Sequence, residues 1–150
     1  MARKRDELMF DVKGVEREYS AMRLASDRLL TVVTSDPTVL VDDLTPRDIR
    51  HAAERLESTY LIRLFAVVEA GLRQFWSTAR GPVPPNRTRD LLDGVAATRS
   101  IPHQQRIDAH AVREFRNTLV HVRDEPAAPI PICDARRILC RFLSHLPPLW

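Results

Sequence analysis

Tyr60-Leu61-Ile62-Arg63-Leu64-Phe65-Ala66-Val67-Val68-Glu69-Ala70-Gly71-Leu72-Arg73-Gln74-Phe75-Trp76 is the stretch that decides the fold. Its apolar residues recur with the period of an α-helix, on two adjacent stripes. One stripe holds Tyr60, Leu64, Val67, Gly71 and Phe75, and the other Leu61, Phe65, Val68, Leu72 and Trp76. A surface helix needs one such stripe. Two cover about half the circumference, so this segment is either the central helix of a bundle or also part of a subunit interface. The first stripe extends back through Leu56, Ala53 and Ile49 to Thr45-Pro46-Arg47-Asp48. There a threonine can cap, a proline suits the first turn and an aspartate faces the positive end of the helix dipole. Gly81-Pro82 stops the pattern, so the expected helix covers 45–80 and is roughly 50 Å long.

The flanking chain reads as further helices. Leu8, Val12, Val15, Tyr19, Met22 and Leu29 predict an N-terminal helix over about 6–33, most easily divided at Gly14 and stopped by Ser35-Asp36-Pro37. Val39-Leu40-Val41 has no partner strand and is expected as an extended loop packed on the bundle. After the stiff connector Pro82-Val83-Pro84-Pro85-Asn86, Thr88 is placed to cap a short helix running from Asp90 to Ala97. Pro102 opens the next helix, which has to end by Asp124-Glu125 because Pro126 follows. A last helix spans about Asp134 to His145, with Ile138, Leu139, Phe142 and Leu146 inward. Trp150 is expected to pack on a neighbouring molecule. The expected fold is all-α, a four- to five-helix bundle forming one domain over 1–150 with its core at about 45–146.

Composition narrows the function. The chain is 44% hydrophobic, which suits a globular fold rather than a disordered one. No apolar run reaches the ~18–20 residues a membrane helix needs. The charged start, Met1 to Glu7, is not followed by a signal-peptide core, so a cytoplasmic protein with no membrane partner is expected. Cys133 and Cys140, about 10 Å apart along one helix face, are too far apart to bridge and are expected as small core residues. Of 23 basic residues, 21 are arginine, the exceptions being Lys4 and Lys13. Between Arg73 and Arg123 nine arginines face only Asp90, Asp93, Asp108 and Glu114. Arginine binds phosphate in a bidentate way, so this region suits a nucleic-acid partner. Four glycines leave no Gly-rich phosphate loop. His103 and His110 lack the third and fourth ligands a metal needs, so neither a metal nor another cofactor is expected.

The chemistry concentrates in Val112-Arg113-Glu114-Phe115-Arg116-Asn117-Thr118-Leu119-Val120-His121. Ile107, Ala111, Val112, Phe115, Leu119 and Val122 form the apolar arc of this helix, with Arg116 at its edge. On a regular helix His121 points about 140° away from Arg116. The two converge only if the helix unwinds near its end or a second copy of the chain supplies its own motif. Glu69, on the border of the apolar arc of its own helix, either orients Arg116 or stands as an edge carboxylate. Arg106, Arg113 and Arg123 flank the motif as candidates for contacts to an RNA backbone.

Arg116-Asn117 followed by His121 resembles the Arg-(four residues)-His motif of the HEPN superfamily, and the helix from Tyr60 to Trp76 is similar to that family's long core helix. The resemblance covers about 45–124. It implies an HEPN-like bundle and a metal-independent endoribonuclease acting as a homodimer, built through the motif helix and the Tyr60–Trp76 helix. It implies His121 as general acid or base, Arg116 on the scissile phosphate and Asn117 as a positioning group. The products would be 2′,3′-cyclic phosphate and 5′-hydroxyl ends. The implied setting is a prokaryotic toxin or anti-phage defence effector, with RNA as partner and an antitoxin or other defence-system protein as a second one. In a large toxin branch a tyrosine two residues after the histidine is modified by a partner nucleotidyltransferase. Here Arg123 takes that position, so that regulation is not expected. The competing expectation is a non-catalytic HEPN-like module that binds RNA or protein and dimerises.

Overall fold

A computed structural model describes residues 4–121 and 124–150. The fold is all-α, with helices α1 (Arg5–Ser35), α2 (Pro46–Ala79), α3 (Thr88–Arg99), α4 (His103–Val120) and α5 (Ile132–Leu143). A 3-10 turn, Pro37–Val39, lies between α1 and α2. Among the described residues there is no strand, only an isolated bridge between Lys4 and Leu149. None of the described helices is long and apolar enough to cross a membrane.

α2 is the central element, and it starts where Thr45 dictates. The Asp48 N–H donates to the threonine hydroxyl at 3.4 Å, and the Thr45 N–H donates to Asp48 Oδ2 at 2.8 Å. These two bonds close a capping box, with Pro46 in the first turn. Both apolar stripes then turn inward. Leu61, Leu64, Phe65, Val68, Leu72 and Phe75 are buried among Leu8, Val12 and Val15 of α1, Leu91, Leu92 and Val95 of α3, Ala109 and Val112 of α4, and Leu139, Phe142 and Leu143 of α5. Each large side chain removed from water in this way stabilises the fold by about 1.5–3 kcal/mol. At Gly71 a Cβ would meet Leu8 Cδ2 at 2.4 Å, so glycine is what lets α1 and α2 approach this closely.

Polar ties fix the outer helices. Glu57 of α2 accepts the Ile132 N–H at 2.9 Å, placing a carboxylate at the positive end of α5. Arg136 of α5 donates to Glu16 of α1 at 2.7 Å. The Arg5 guanidinium donates to the carbonyls of Ser144 and Leu146 at 3.3 Å. This closes the C-terminal end of α5, where free carbonyls accumulate.

Several expectations change. α1 runs unbroken through Gly14, but its burial largely ends at Val15; Met22 and Leu29, expected inward, are exposed. The core covers only the first half of α1. Beyond it, α1 and the first turns of α2 form a two-helix arm on which, among the described residues, only Val33 and Ala53 are buried. Val39 and Val41 lie on this arm, 43% and 65% exposed, rather than packing on the bundle. Trp150 does not seek a neighbour: its ring meets Phe75 edge-on, centroids 5.7 Å apart. Cys133 is exposed, while Cys140 is half-buried, its thiol pushed up by desolvation. Thr88 is the first residue of α3 rather than its cap, because its hydroxyl is engaged elsewhere.

Candidate functional site

α4 ends at Val120, earlier than Pro126 requires. The His121 N–H donates to the Asn117 carbonyl at 2.9 Å, and His121 itself is extended, with φ −124° and ψ 140°. Ala127, further along the chain, lies against the same turn. The Thr118 hydroxyl donates to the Glu114 carbonyl at 3.1 Å and accepts the Ala127 N–H at 3.0 Å. This bond pins the returning segment against the last turn of α4. His121 is thus released from the helix, exposed, at the point where α4 stops.

Arg116 takes the opposite role and is held. Its guanidinium lies over the Phe65 ring, 4.8 Å from the centroid, and Nη2 donates to Glu69 Oε2 at 3.3 Å. The two side chains are 19% and 22% exposed. Glu69 is the hub of a larger network. Its Oε1 accepts from Arg73 Nη2 at 2.7 Å, Arg73 Nε at 3.2 Å and the Thr88 hydroxyl at 2.9 Å. Arg73 also donates to the carbonyls of Pro85 and Asn86, at 2.7 and 3.1 Å, so the connector before α3 is fastened to α2. Two guanidinium groups thus share one carboxylate, leaving the cluster with excess positive charge. A guanidinium carries five N–H donors, and among the described residues Arg116 donates only to Glu69. One edge of its fork is fixed, and its other donors remain available to an anion.

The structure therefore brings Arg116 and Glu69 together. Among the described residues no side-chain hydrogen bond joins Asn117 or His121 to that pair. Arg113 pairs with Glu114. Arg106 lies 3.1 Å from His103 Nδ1 and 3.6 Å from Asp93. Arg123 lies outside the described residues. Sequence reasoning missed Phe65 and Arg73, although each is one helical turn from Glu69, the spacing at which side chains meet. It also missed Thr88, for which the signal pointed to a cap. His110 does not pair with His103. Its Nε2 lies 2.8 Å from Asp93 Oδ1. Among the described residues no group of three His, Cys, Asp or Glu side chains is arranged to hold a metal ion.

The second apolar stripe of α2 is used within the chain. Leu61, Phe65, Val68 and Leu72 are each no more than 1% exposed. These four are covered within the chain, while Trp76, the fifth residue of the stripe, is half-buried. Compared with known proteins, the chain matches no family model, no curated protein and no solved structure.

Proposed function

We propose that this chain is an HEPN-like, metal-independent endoribonuclease of the toxin or defence-effector type, with Arg116 and His121 as its reacting groups. The observation that carries the reading is the contrast between them. Arg116 is held by Glu69 and Phe65 with donors to spare, and His121 stands exposed and outside the helix where α4 stops. The arginine fork suits the non-bridging oxygens of a scissile phosphate, whose charge grows in the transition state. Histidine suits proton transfer near neutral pH. In the reaction the ribose O2′ loses its proton to one histidine and bonds to phosphorus. The bond from phosphorus to O5′ breaks, and O5′ takes a proton from a second acid. A homodimer supplies that second group as the partner's copy of the histidine. Asn117 lies one helical turn before His121 and positions the phosphate.

The test is cleavage of total RNA or tRNA by wild type, His121→Ala and Arg116→Ala, with end analysis of the products. The expected result is 2′,3′-cyclic phosphate and 5′-hydroxyl ends from the wild type, and loss of at least tenfold in rate in each variant. Equal activity in wild type and His121→Ala, or none in either, refutes the reading.

A second reading rests on the burial of Arg116. An arginine stacked on a core phenylalanine and bonded to a neighbouring helix is also what anchors α4 to α2 in a non-catalytic RNA- or protein-binding module. It predicts an inert wild type whose partner binding survives His121→Ala. Light scattering on the purified chain tests the dimer, which the composite site requires.

A further inference from the structure

α4 has a second polar face, centred about 90° round the helix from Arg116. Arg106, His110, Arg113 and Asn117 follow at intervals of four, three and four residues, which sets them within an arc of about 60°. This face looks toward α3. His110 Nε2 is 2.8 Å from Asp93 Oδ1, and Arg106 Nη1 is 3.6 Å from the same oxygen. With Arg89 from the first turn of α3, these groups line a cleft of about 440 Å³ whose other walls are Ile107, Arg113 and Glu114.

The chemistry of this lining is one-sided. Ile107 is its only apolar side chain, so a peptide or lipid would find little to bury against. Three arginines outnumber the two carboxylates, and each carboxylate already serves as an anchor: Asp93 for His110 and Arg106, Glu114 for Arg113. Arg89 is exposed and has no ion pair among the described residues. Arg113 Nε and His110 Nδ1 are buried and have no hydrogen-bond partner among the described residues. Guanidinium forks oriented by carboxylates match the oxygens of a phosphate group.

We infer that this α3–α4 cleft is a phosphate subsite for a single RNA strand, held by Arg89, Arg106 and Arg113. It lies on the face that leads through Asn117 to His121, which is about 12 Å further along α4 than Arg113. A strand seated here is delivered to the end of the helix. The ligand's identity as RNA rests on the ribonuclease reading, while its anionic character rests on the cleft alone.

The test uses the full chain carrying His121→Ala, so that RNA stays intact, and a short fluorescein-labelled single-stranded RNA. Binding is followed by anisotropy across about 50–200 mM salt. Arg89→Gln and Arg106→Gln should each weaken binding roughly three- to tenfold and lower the salt slope by about 0.7, the value for one lost single-strand phosphate contact. Arg28→Gln, on the arm, should leave the slope unchanged. Circular dichroism melts check that the variants fold. An unaltered slope in the Arg89→Gln, Arg106→Gln double variant overturns the subsite, and so does an absence of RNA binding. The ribonuclease reading is judged separately, by wild-type cleavage. An inert wild type with a cleft-dependent salt slope removes the nuclease and keeps the subsite. An active wild type with a cleft-independent slope does the reverse.

Discussion

Removing the Glu69 carboxylate should damage both stability and activity, through a coupling that can be measured. Glu69 accepts from Arg73, Arg116 and Thr88, in one case at 2.7 Å. Hydrogen bonds to a charged group contribute roughly 1.5–3 kcal/mol each when well sheltered. Here Arg116 is 19% and Arg73 30% exposed, so water compensates part of the loss and the sum is well below three full bonds. Glu69→Ala should therefore cost about 2–3 kcal/mol. That is roughly 5–10 °C in Tm for a chain of this size. Glu69→Gln keeps one acceptor but turns an amide N–H₂ toward guanidinium donors, and about 1–2 kcal/mol is expected. The decisive measurement is a double-mutant cycle by urea unfolding: wild type, Glu69→Ala, Arg116→Ala and both. Partners in contact should couple by about 1 kcal/mol or more, whereas independent residues add within about 0.3–0.5 kcal/mol. In the cleavage assay Glu69→Ala should lower the rate through Arg116, so that the double variant is little worse than Arg116→Ala alone. Additive stabilities together with additive rate losses would refute the claim that Glu69 orients Arg116.

Three further outcomes follow from the packing. Trp150→Ala removes the edge-on contact with Phe75 from a side chain only 8% exposed; about 2–3 kcal/mol should be lost, and an unchanged melt would refute the contact. Burial raises the Cys140 thiol, which leaves less of it as the reactive thiolate. Iodoacetamide on the native chain should give one adduct, mapped to the exposed Cys133, with Cys140 following only in denaturant; equal rates at both would refute this. The Thr45 hydroxyl, and after it the Thr45 backbone N–H, hold the Asp48 carboxyl below the usual carboxylate range. A lowered folded value contributes stability that is fully present above the unfolded value of about pH 4 and is lost as pH falls through the folded one. Asp48→Asn should flatten the acid limb of Tm against pH, and an identical limb would count against the capping box.

Much of the fold was legible because local chemistry and tertiary burial agree along α2. Thr45 and Pro46 set its start, and both stripes found partners. Where the reading failed, the missing information was non-local. The period of α1 continues through Met22 and Leu29, but periodicity tells which face is apolar, not whether anything covers it. Here the other helices reach only as far as the first half of α1. Thr88 satisfies every local rule for a cap, yet its hydroxyl goes to Glu69, a residue 19 positions earlier. Trp150 reaches Phe75 because the segment after α5 folds back over the bundle, a path that Pro147 and Pro148 do not announce. At the site, Glu69 was readable from its place on the edge of the α2 arc, facing the edge of α4 where Arg116 lies. The pairing of His110 with Asp93 depends on the register of α3 against α4, which neither helix encodes by itself.

On the ribonuclease proposal, the divergence of Arg116 and His121 is a division of labour along α4 rather than a defect of the motif. An apolar helix edge that packs on α2 must hold its arginine close, and Arg116 is accordingly fixed by Phe65 and Glu69. The polar face about 90° round the helix meets α3 through His110 and Asp93. His121 would continue that polar face if the helix went on, but α4 stops at Val120, and the extended backbone at His121 frees the ring from the helical geometry. The sequence reading asked for either an unwound end or a second subunit for the two groups to meet; α4 does end at Val120, and no side-chain hydrogen bond among the described residues joins His121 to Arg116. The end is held by the Thr118–Ala127 bond, which fixes where the helix stops without burying the histidine. A substitution such as Thr118→Val, which keeps the shape and removes the hydroxyl, would loosen the returning segment while leaving Arg116 untouched. Its effect on cleavage would measure how far activity depends on the position of His121 alone.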